Sequence, residues 1–167
     1  MLNVPVALAA DESALIKDID ALVEKHGAGR DALIPVLQDV RERQHDISDL
    51  AMQVIADRLS IPPVEVYGVA TFYSFLRVGP TGQHTIRVCR TLSCAFAGAT
   101  SIAKKLESEL GISMGETTAD GQITLEWANC IGMCDQAPAV LADKAAVGNL
   151  TTARVAEIIA DLKAAKG

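Results

Sequence analysis

Apolar residues recur every three or four positions along the first part of the chain, which is the period of an α-helix. In DESALIKDIDALVEKHG the stripe that a helix would bury consists of Leu15, Ile16, Ile19, Leu22 and Val23. DALIPVLQDVRERQ repeats the period, and Pro35 is compatible with a helix only within its first turn. Both patterns predict amphipathic helices, and Gly27 is expected to end the first of them.

Two further helices are predicted before the period changes. Ser48 is expected to cap the third helix. Its buried stripe is expected to consist of Leu50, Val54, Ile55 and Leu59. SIPPVEVYGVATFYSF predicts a fourth helix, with Pro62 or Pro63 in its first turn. These stripes predict a helical bundle at residues 11–76, after a tail at residues 1–10.

The second part of the chain has a different pattern, which begins after a predicted linker, RVGPTGQ, at residues 77–83. HTIRV alternates and predicts a strand that ends at Cys89, whereas the residues from Ala97 to Leu110 have the helical period. ETTADGQITLEW predicts a hairpin around Asp120-Gly121, APAVLAD another strand, and LTTARVAEIIADLKAA a last helix. The predicted fold class is therefore α+β, with a small sheet and its helices at residues 84–167.

Composition and charge exclude several classes of function. Half of the residues are apolar, which is enough for a packed core, and no apolar run reaches the ~18 residues of a membrane-spanning helix. The net charge is −6 and neither half carries a basic stripe, so nucleic acid is not expected as a partner. MLNVPVALAA lacks a basic start and predicts a tail rather than a signal peptide. A cytoplasmic chain is expected, in which thiols stay reduced.

All four cysteines lie in two short pairs, each after a predicted strand. Cys89 and Cys94 form a C-x4-C motif, and Cys130 and Cys134 a C-x3-C motif. If those strands are neighbours in one sheet, four thiolates surround a small volume, which suits zinc or an iron–sulfur cluster. Zinc knuckles favour C-x2-C, whereas a [2Fe–2S] cluster is larger and takes two thiolates at each iron. Longer loops can also direct backbone N–H groups at the sulfurs of a cluster.

The spacing favours the cluster and leaves zinc, disulfides or ordinary buried thiols open. No histidine lies near a cysteine in the sequence, which argues against Rieske ligation, and a thioredoxin-type redox pair would need C-x2-C. Gly98 and Gly132 are placed to let the backbone approach a cluster closely. Thr91 and Ser93 offer hydroxyl donors in the first motif.

The two motifs together resemble a known family. VC-x4-C, followed 35 residues later by CIGMCDQAP, resembles the thioredoxin-like [2Fe–2S] subunit of NADH-linked complexes, the 24 kDa-type subunit of respiratory complex I. Related subunits occur in NAD(P)-linked hydrogenases and NAD-dependent formate dehydrogenases. LIPVLQDVRERQ and IPPVEVYGVATFYSF resemble the helical N-terminal domain of the family, so the resemblance covers residues 12–160.

The resemblance implies a thioredoxin-like α/β domain at residues 84–167 and one [2Fe–2S] cluster held by Cys89, Cys94, Cys130 and Cys134. It implies an electron-transfer subunit that is not catalytic by itself. Its cluster would exchange single electrons with the FMN of a partner flavoprotein, where NAD(P)H reacts. Hydrogen, formate, quinone or bifurcation chemistry stays open for the whole complex, as does NAD or NADP. The alternative is a zinc-stabilised structural adaptor without a redox role.

The sequence differs from the family within and beside the cysteine motifs. Arg90, Thr91 and Leu92 stand where many relatives carry small residues, and Asp135 stands where many have glycine. Arg90 is expected to raise the cluster potential, and Asp135 to lower it.

YGVATFYSF holds four of the six aromatic residues of the chain. Packing within the bundle is the favoured interpretation, because Tyr67 shares a helical face with Val64, and a docking surface is the other. Trp127 is expected in the core.

Overall fold

A computed structural model of the chain describes residues 10–165, so residues 1–9 of the predicted tail lie outside the described residues. The chain divides into two compact units between Pro80 and Thr81. Among the described residues the first unit contains only helices: α1 (Ala10–His26), a 3-10 turn (Arg30–Ala32), α2 (Leu33–Gln44), α3 (Asp49–Leu59) and α4 (Pro63–Phe72). The predicted helical character of this part of the chain is confirmed.

The helix boundaries follow the predicted stop and cap residues. Gly27 leaves α1 with a φ of 98°, which glycine adopts at little cost, and its N–H donates to the Val23 carbonyl at 2.8 Å. The Ser48 Oγ accepts a hydrogen bond from the Ala51 N–H at 3.2 Å, as expected of an N-cap. Pro35 lies in the first turn of α2, and Pro63 is the first residue of α4.

The buried face of α3 differs from the prediction. Ile55 and Leu59 are buried as expected, but Leu50 and Val54 are only half-buried. Ala51 and Met52 are buried as well. The reason is that α3 packs against α1, α2 and α4, so three neighbours cover a wider face than a single stripe.

An acidic side chain on α2 ties the end of α1 to the bundle. The Asp39 carboxylate lies 2.8 Å from both His26 Nε2 and Lys25 Nζ. The hydrogen bond from His26, followed by that from Lys25, holds the pKa of Asp39 below its ordinary value of 3.8. A carboxyl whose pKa is lower in the folded state stabilises the fold above its unfolded pKa. That contribution is lost as the pH falls through the folded value.

We expect Asp39→Asn to cost about 0.5–1 kcal/mol of unfolding free energy at pH 7, because the pair is partly exposed. The variant should also lose less stability than the wild type between about pH 5 and pH 2, since it has no carboxyl to protonate there. Urea unfolding followed by far-UV circular dichroism at both pH values checks this. Glu24→Gln on α1 removes the same charge from an exposed position and is the control. Equal pH dependence in all three proteins would contradict the prediction.

The second unit is a mixed sheet with helices. Its described strands are β1 (His84–Cys89), β2 (Ile123–Ala128), β3 (Val140–Ala142) and β4 (Ala145–Val147). Its described helices are α5 (Leu92–Phe96), α6 (Ala99–Leu110) and α7 (Val155–Ala164), with a 3-10 turn at Cys134–Gln136. The strand order is β2-β1-β3-β4, with β1 parallel to β2 and antiparallel to β3, and β3 antiparallel to β4. The predicted α+β class is confirmed.

The core of this unit lies between one face of the sheet and the apolar stripes of the helices. Ile86 and Val88 of β1 and Ile123 and Leu125 of β2 are fully buried. They form one cluster with residues of α6 and α7. Trp127, which was expected in the core, packs against this cluster but is only half-buried. Among the described helices of either unit, none combines the length and the apolar character needed to cross a membrane.

Three predicted elements differ in detail. The helix predicted from Ala97 begins at Ala99, because Gly98, with a φ of 99°, separates it from α5, which was not predicted. At Asp120-Gly121 the turn is present, but its first arm is not a full strand. It pairs with β2 through an isolated bridge, Thr117 with Thr124, and through backbone hydrogen bonds such as that from the Thr118 N–H to the Ile123 carbonyl at 2.9 Å. APAVLAD is confirmed as a strand. β4 follows it after a turn at Asp143 and was not predicted.

Candidate functional site

The parallel pairing of β1 with β2 brings both cysteine motifs to one edge of the sheet. Cys89, the last residue of β1, pairs in register with Ala128, the last residue of β2. The Arg90 N–H then donates to the Ala128 carbonyl at 3.0 Å, which extends the pairing by one residue. Both chain segments therefore leave the sheet side by side. The two strands that precede the cysteine motifs are thus neighbours in one sheet, which was the condition for four thiolates to surround a small volume.

The first cysteine pair is buried. Cys89 and Cys94 are each 2% exposed and belong to the hydrophobic core of the unit. Their thiols interact with each other, and the Cys89 N–H donates to the Ala139 carbonyl at 3.2 Å. Cys89 is the last residue of β1, as the sequence predicted. Cys94 was expected in a loop, and this was wrong, because it lies on α5, a helix too short to show a period in the sequence.

The second cysteine pair is exposed and lies on a segment whose apolar residues anchor it to the core. Cys130 and Cys134 are exposed, whereas Ile131 and Met133 between them pack against the core. Gly132 has a φ of 80°, a conformation that lets the segment reverse its direction between these two anchors. The two thiols are thereby left free at the surface, while their backbone is held by packing.

A small polar network surrounds the Cys89 sulfur. The Thr91 Oγ1 lies 3.1 Å from the Cys89 Sγ, and the Asn129 carbonyl oxygen lies 3.2 Å from the same sulfur. The Thr91 hydroxyl also donates to that Asn129 carbonyl. Arg90 reaches the Asn129 side-chain oxygen with two guanidinium nitrogens at 3.4 Å. Thr91 of the first motif and Asn129, next to the second motif, are therefore hydrogen-bonded to each other beside the buried Cys89 sulfur.

The two buried thiols have pKa values shifted in opposite directions. Burial acts to raise the pKa of Cys89, but hydrogen bonds, led by that from Thr91, outweigh it and bring the pKa below 9.0. Burial and the neighbouring Cys89 sulfur raise the pKa of Cys94 above the same value. Soft metal centres bind thiolates rather than thiols, so this pair can supply its first thiolate at Cys89.

The four cysteines divide into two pairs, as the ligands of a two-iron group do. Within residues 10–165, no three or more histidine, cysteine or carboxylate side chains form a group that could hold one metal ion. A zinc site requires four donors within about 2.3 Å of one ion. A [2Fe–2S] cluster instead distributes two thiolates to each of two irons. One close buried pair and a second pair at the same sheet edge match that division, and four cysteines match its preference for sulfur.

Comparison with known proteins decides the family. Residues 19–163 match the family model described as thioredoxin-like [2Fe–2S] ferredoxin. The chain belongs to this family. The resemblance seen in the sequence is thus confirmed, and so is the expected thioredoxin-like fold of the second unit after a helical first unit.

Curated relatives match most of the chain. It is 39% identical over 130 residues to a subunit of the NADH-quinone oxidoreductase of Pseudomonas aeruginosa, covering 78% of both proteins. It is 38% identical over 138 residues to NADH-quinone oxidoreductase subunit 2 of Thermus thermophilus, covering 82% of this chain and 76% of the relative.

A solved structure shares the fold of this family member. NAD+-reducing [NiFe]-hydrogenase in the air-oxidised state superposes with a TM-score of 0.70 at 27% identity. The match covers 79% of this chain but only 23% of the hydrogenase chain. This ferredoxin-type chain therefore corresponds to about a quarter of that larger chain.

Sequence reasoning missed two features near the site and misassigned another. Leu92 and Phe96 are 71% and 85% exposed on α5, on either side of the buried Cys94. Their spacing of four in LSCAF is the only sequence signal for a shared face. Asn129 acts through its backbone carbonyl, which gives no sequence signal. On α4, Val64 and Tyr67 are exposed, so the favoured packing interpretation was wrong for that face.

Proposed function

We propose that Cys89, Cys94, Cys130 and Cys134 bind one [2Fe–2S] cluster, with which this chain carries single electrons in an NAD(P)H-linked oxidoreductase complex. The observation that carries this proposal is the delivery of both cysteine pairs to one sheet edge by the parallel strands β1 and β2. Membership of the thioredoxin-like [2Fe–2S] ferredoxin family supports it. The zinc adaptor is less well supported, because the family that the chain matches is one of [2Fe–2S] ferredoxins.

The cluster would supply the one-electron chemistry, and the chain determines the surroundings of that chemistry. The buried pair, Cys89 and Cys94, would hold one side of the cluster within the core, away from water. The exposed pair, Cys130 and Cys134, would leave the other side accessible from the surface. This asymmetry suits an electron carrier, because the chain shields the cluster while one side stays open to an electron donor or acceptor.

The proposed partner is a flavoprotein subunit that binds FMN and NAD(P)H. The relatives are named as subunits of NADH-quinone oxidoreductase, and the structural match is an NAD+-reducing hydrogenase. Leu92 and Phe96 support a protein contact beside the cysteine site, since exposed apolar side chains next to a functional site are typical of interfaces. In this assignment no residue of the chain is catalytic, and NAD(P)H reacts on the partner. Reduced thiols at this site suit a cytoplasmic location.

Metal analysis and electron paramagnetic resonance test the proposal. Protein purified without oxygen is assayed for iron, zinc and acid-labile sulfide, and spectra are recorded before and after dithionite. We expect two irons and two sulfides per chain, and a rhombic S = 1/2 signal that appears only on reduction. Zinc without iron, and no signal, would favour the structural adaptor instead.

A further inference from the structure

We propose that the Thr91 hydroxyl donates a hydrogen bond to the Cys89 thiolate and thereby raises the reduction potential of the bound cluster. This inference rests on the proposed function and assigns a specific tuning role to a residue that is not a ligand. It concerns the contact between Thr91 Oγ1 and Cys89 Sγ, at 3.1 Å.

The backbone holds the Thr91 hydroxyl in place. Thr91 precedes α5 in an extended conformation, and its carbonyl accepts the Ala95 N–H at 2.9 Å. In most helices a threonine at this position turns its hydroxyl toward the first helical N–H groups. Here the side chain makes no such capping bond, and the hydroxyl is directed to Cys89 and Asn129 instead. The hydroxyl therefore serves the cysteine site rather than the helix.

A count of protons shows which way this hydrogen bond must run in the loaded protein. Three atoms meet here, the Cys89 sulfur, the Thr91 hydroxyl oxygen and the Asn129 carbonyl oxygen. In the free thiol form, sulfur and hydroxyl each carry a proton, and the carbonyl can accept both. Ligation to iron removes the thiol proton. The Thr91 proton is then the one left among the three atoms, and the thiolate has become the acceptor with the greater charge.

The sign of the effect follows from the charge change on reduction. An added electron increases the negative charge on the ligand sulfurs, so a hydrogen bond to sulfur is stronger in the reduced state than in the oxidised state. A donor of this kind stabilises the reduced form and raises the potential. Cys89 is only 2% exposed, so its side of the hydrogen bond with Thr91 is shielded from water. This shielding strengthens the interaction.

The test compares three single variants in the full chain. Thr91→Val keeps the shape of the side chain but removes the hydroxyl, and Thr91→Ser keeps the hydroxyl but removes the methyl group. Ser108→Ala removes an exposed hydroxyl on α6, outside both cysteine motifs, and is the matched control. The midpoint potential of each protein is measured without its partner, by redox titration monitored by electron paramagnetic resonance.

At the wild-type midpoint potential, we expect the ratio of reduced to oxidised cluster in Thr91→Val to fall about tenfold, which is a shift of about 59 mV for one electron. Thr91→Ser and Ser108→Ala should titrate as the wild type does. An intact cluster with an unchanged or higher potential in Thr91→Val would overturn the inference. So would an equal shift in Thr91→Ser, because the methyl group would then be the cause.

Loss of the cluster is the other result that decides the inference. If Thr91→Val does not hold the cluster, Thr91→Ala gives the same comparison without a branched side chain. Loss of the cluster in both variants, with a normal Thr91→Ser, would overturn potential tuning in favour of a role in assembly. If the wild type itself binds no iron, the proposed function has failed, and this result is distinct from a wild type with a cluster that Thr91 does not influence.

Discussion

Replacing Cys130 by alanine should abolish binding of the [2Fe–2S] cluster and leave the fold intact. A missing ligand leaves one iron with a single protein thiolate, since each iron takes two. The loss should exceed the about 10–100-fold effect of removing an outer-shell partner of a metal ligand. Cys130 is exposed, so its removal creates no cavity in the core. Cys94 is a poorer choice because it is 2% exposed, and its replacement would disturb packing as well as ligation.

Bound iron and visible absorption after anaerobic purification measure this loss. Fluorescence of Trp127, the single tryptophan of the chain, reports whether the second unit is still folded. Asp135→Asn, beside Cys134 and exposed, is the matched control and should keep its iron. Full iron content in Cys130→Ala would show that the ligand set proposed above is incorrect.

The second large effect is expected from Ile86→Ala. Ile86 is fully buried on β1 and has register partners on both neighbouring strands, Leu125 and Ala142. Removing a buried isoleucine down to its β-carbon costs about 2–5 kcal/mol, through lost burial and the cavity left behind. Because β1 also carries Cys89, the variant should need the bound cluster more than the wild type does to stay folded.

Urea unfolding of the apoprotein, followed by Trp127 fluorescence, gives the free-energy change for the second unit. Ile86→Val deletes one methyl group and should cost only about 0.5–1.5 kcal/mol of unfolding free energy. The two variants together show whether the cost increases with the volume removed. Lys104→Ala on α6 is exposed and should change little. A cost for Ile86→Ala no larger than that for Ile86→Val would contradict the packing described here.

The periodic elements of the fold could be predicted from the sequence, whereas the short ones could not. α1, α2 and α3 follow an apolar period over three turns or more. Gly27 ends α1 through its backbone conformation, and Ser48 begins α3 through its side-chain oxygen. α5 and β4 have five and three residues, too few to show any period. On α4 the apolar residues surround the whole helix, so periodicity does not identify the buried face, and the exposure of Tyr67 was missed.

The candidate site was predicted to a similar degree. The position of each cysteine pair after a strand could be seen in the sequence, and strand pairing brought the pairs together. The unequal burial of the pairs could not be predicted, because it depends on α5 placing Cys94 in the core and on Ile131 and Met133 anchoring the second motif. Thr91 was identified from the sequence as a hydroxyl donor. Its contact with Cys89 was not predicted, because that contact also depends on the Asn129 carbonyl, a backbone group that every residue carries.

The register of β1 with β2 also bears on how distant relatives are recognised. The 35 residues between the cysteine pairs form a crossover through α6 and the exposed turn at Asp120-Gly121. The ends of the two strands set the distance between the motifs in space, and the length of the crossover does not. Insertions or deletions in that turn would leave both motifs where they are. A search pattern for such chains should therefore fix the two short cysteine spacings and let the long interval vary.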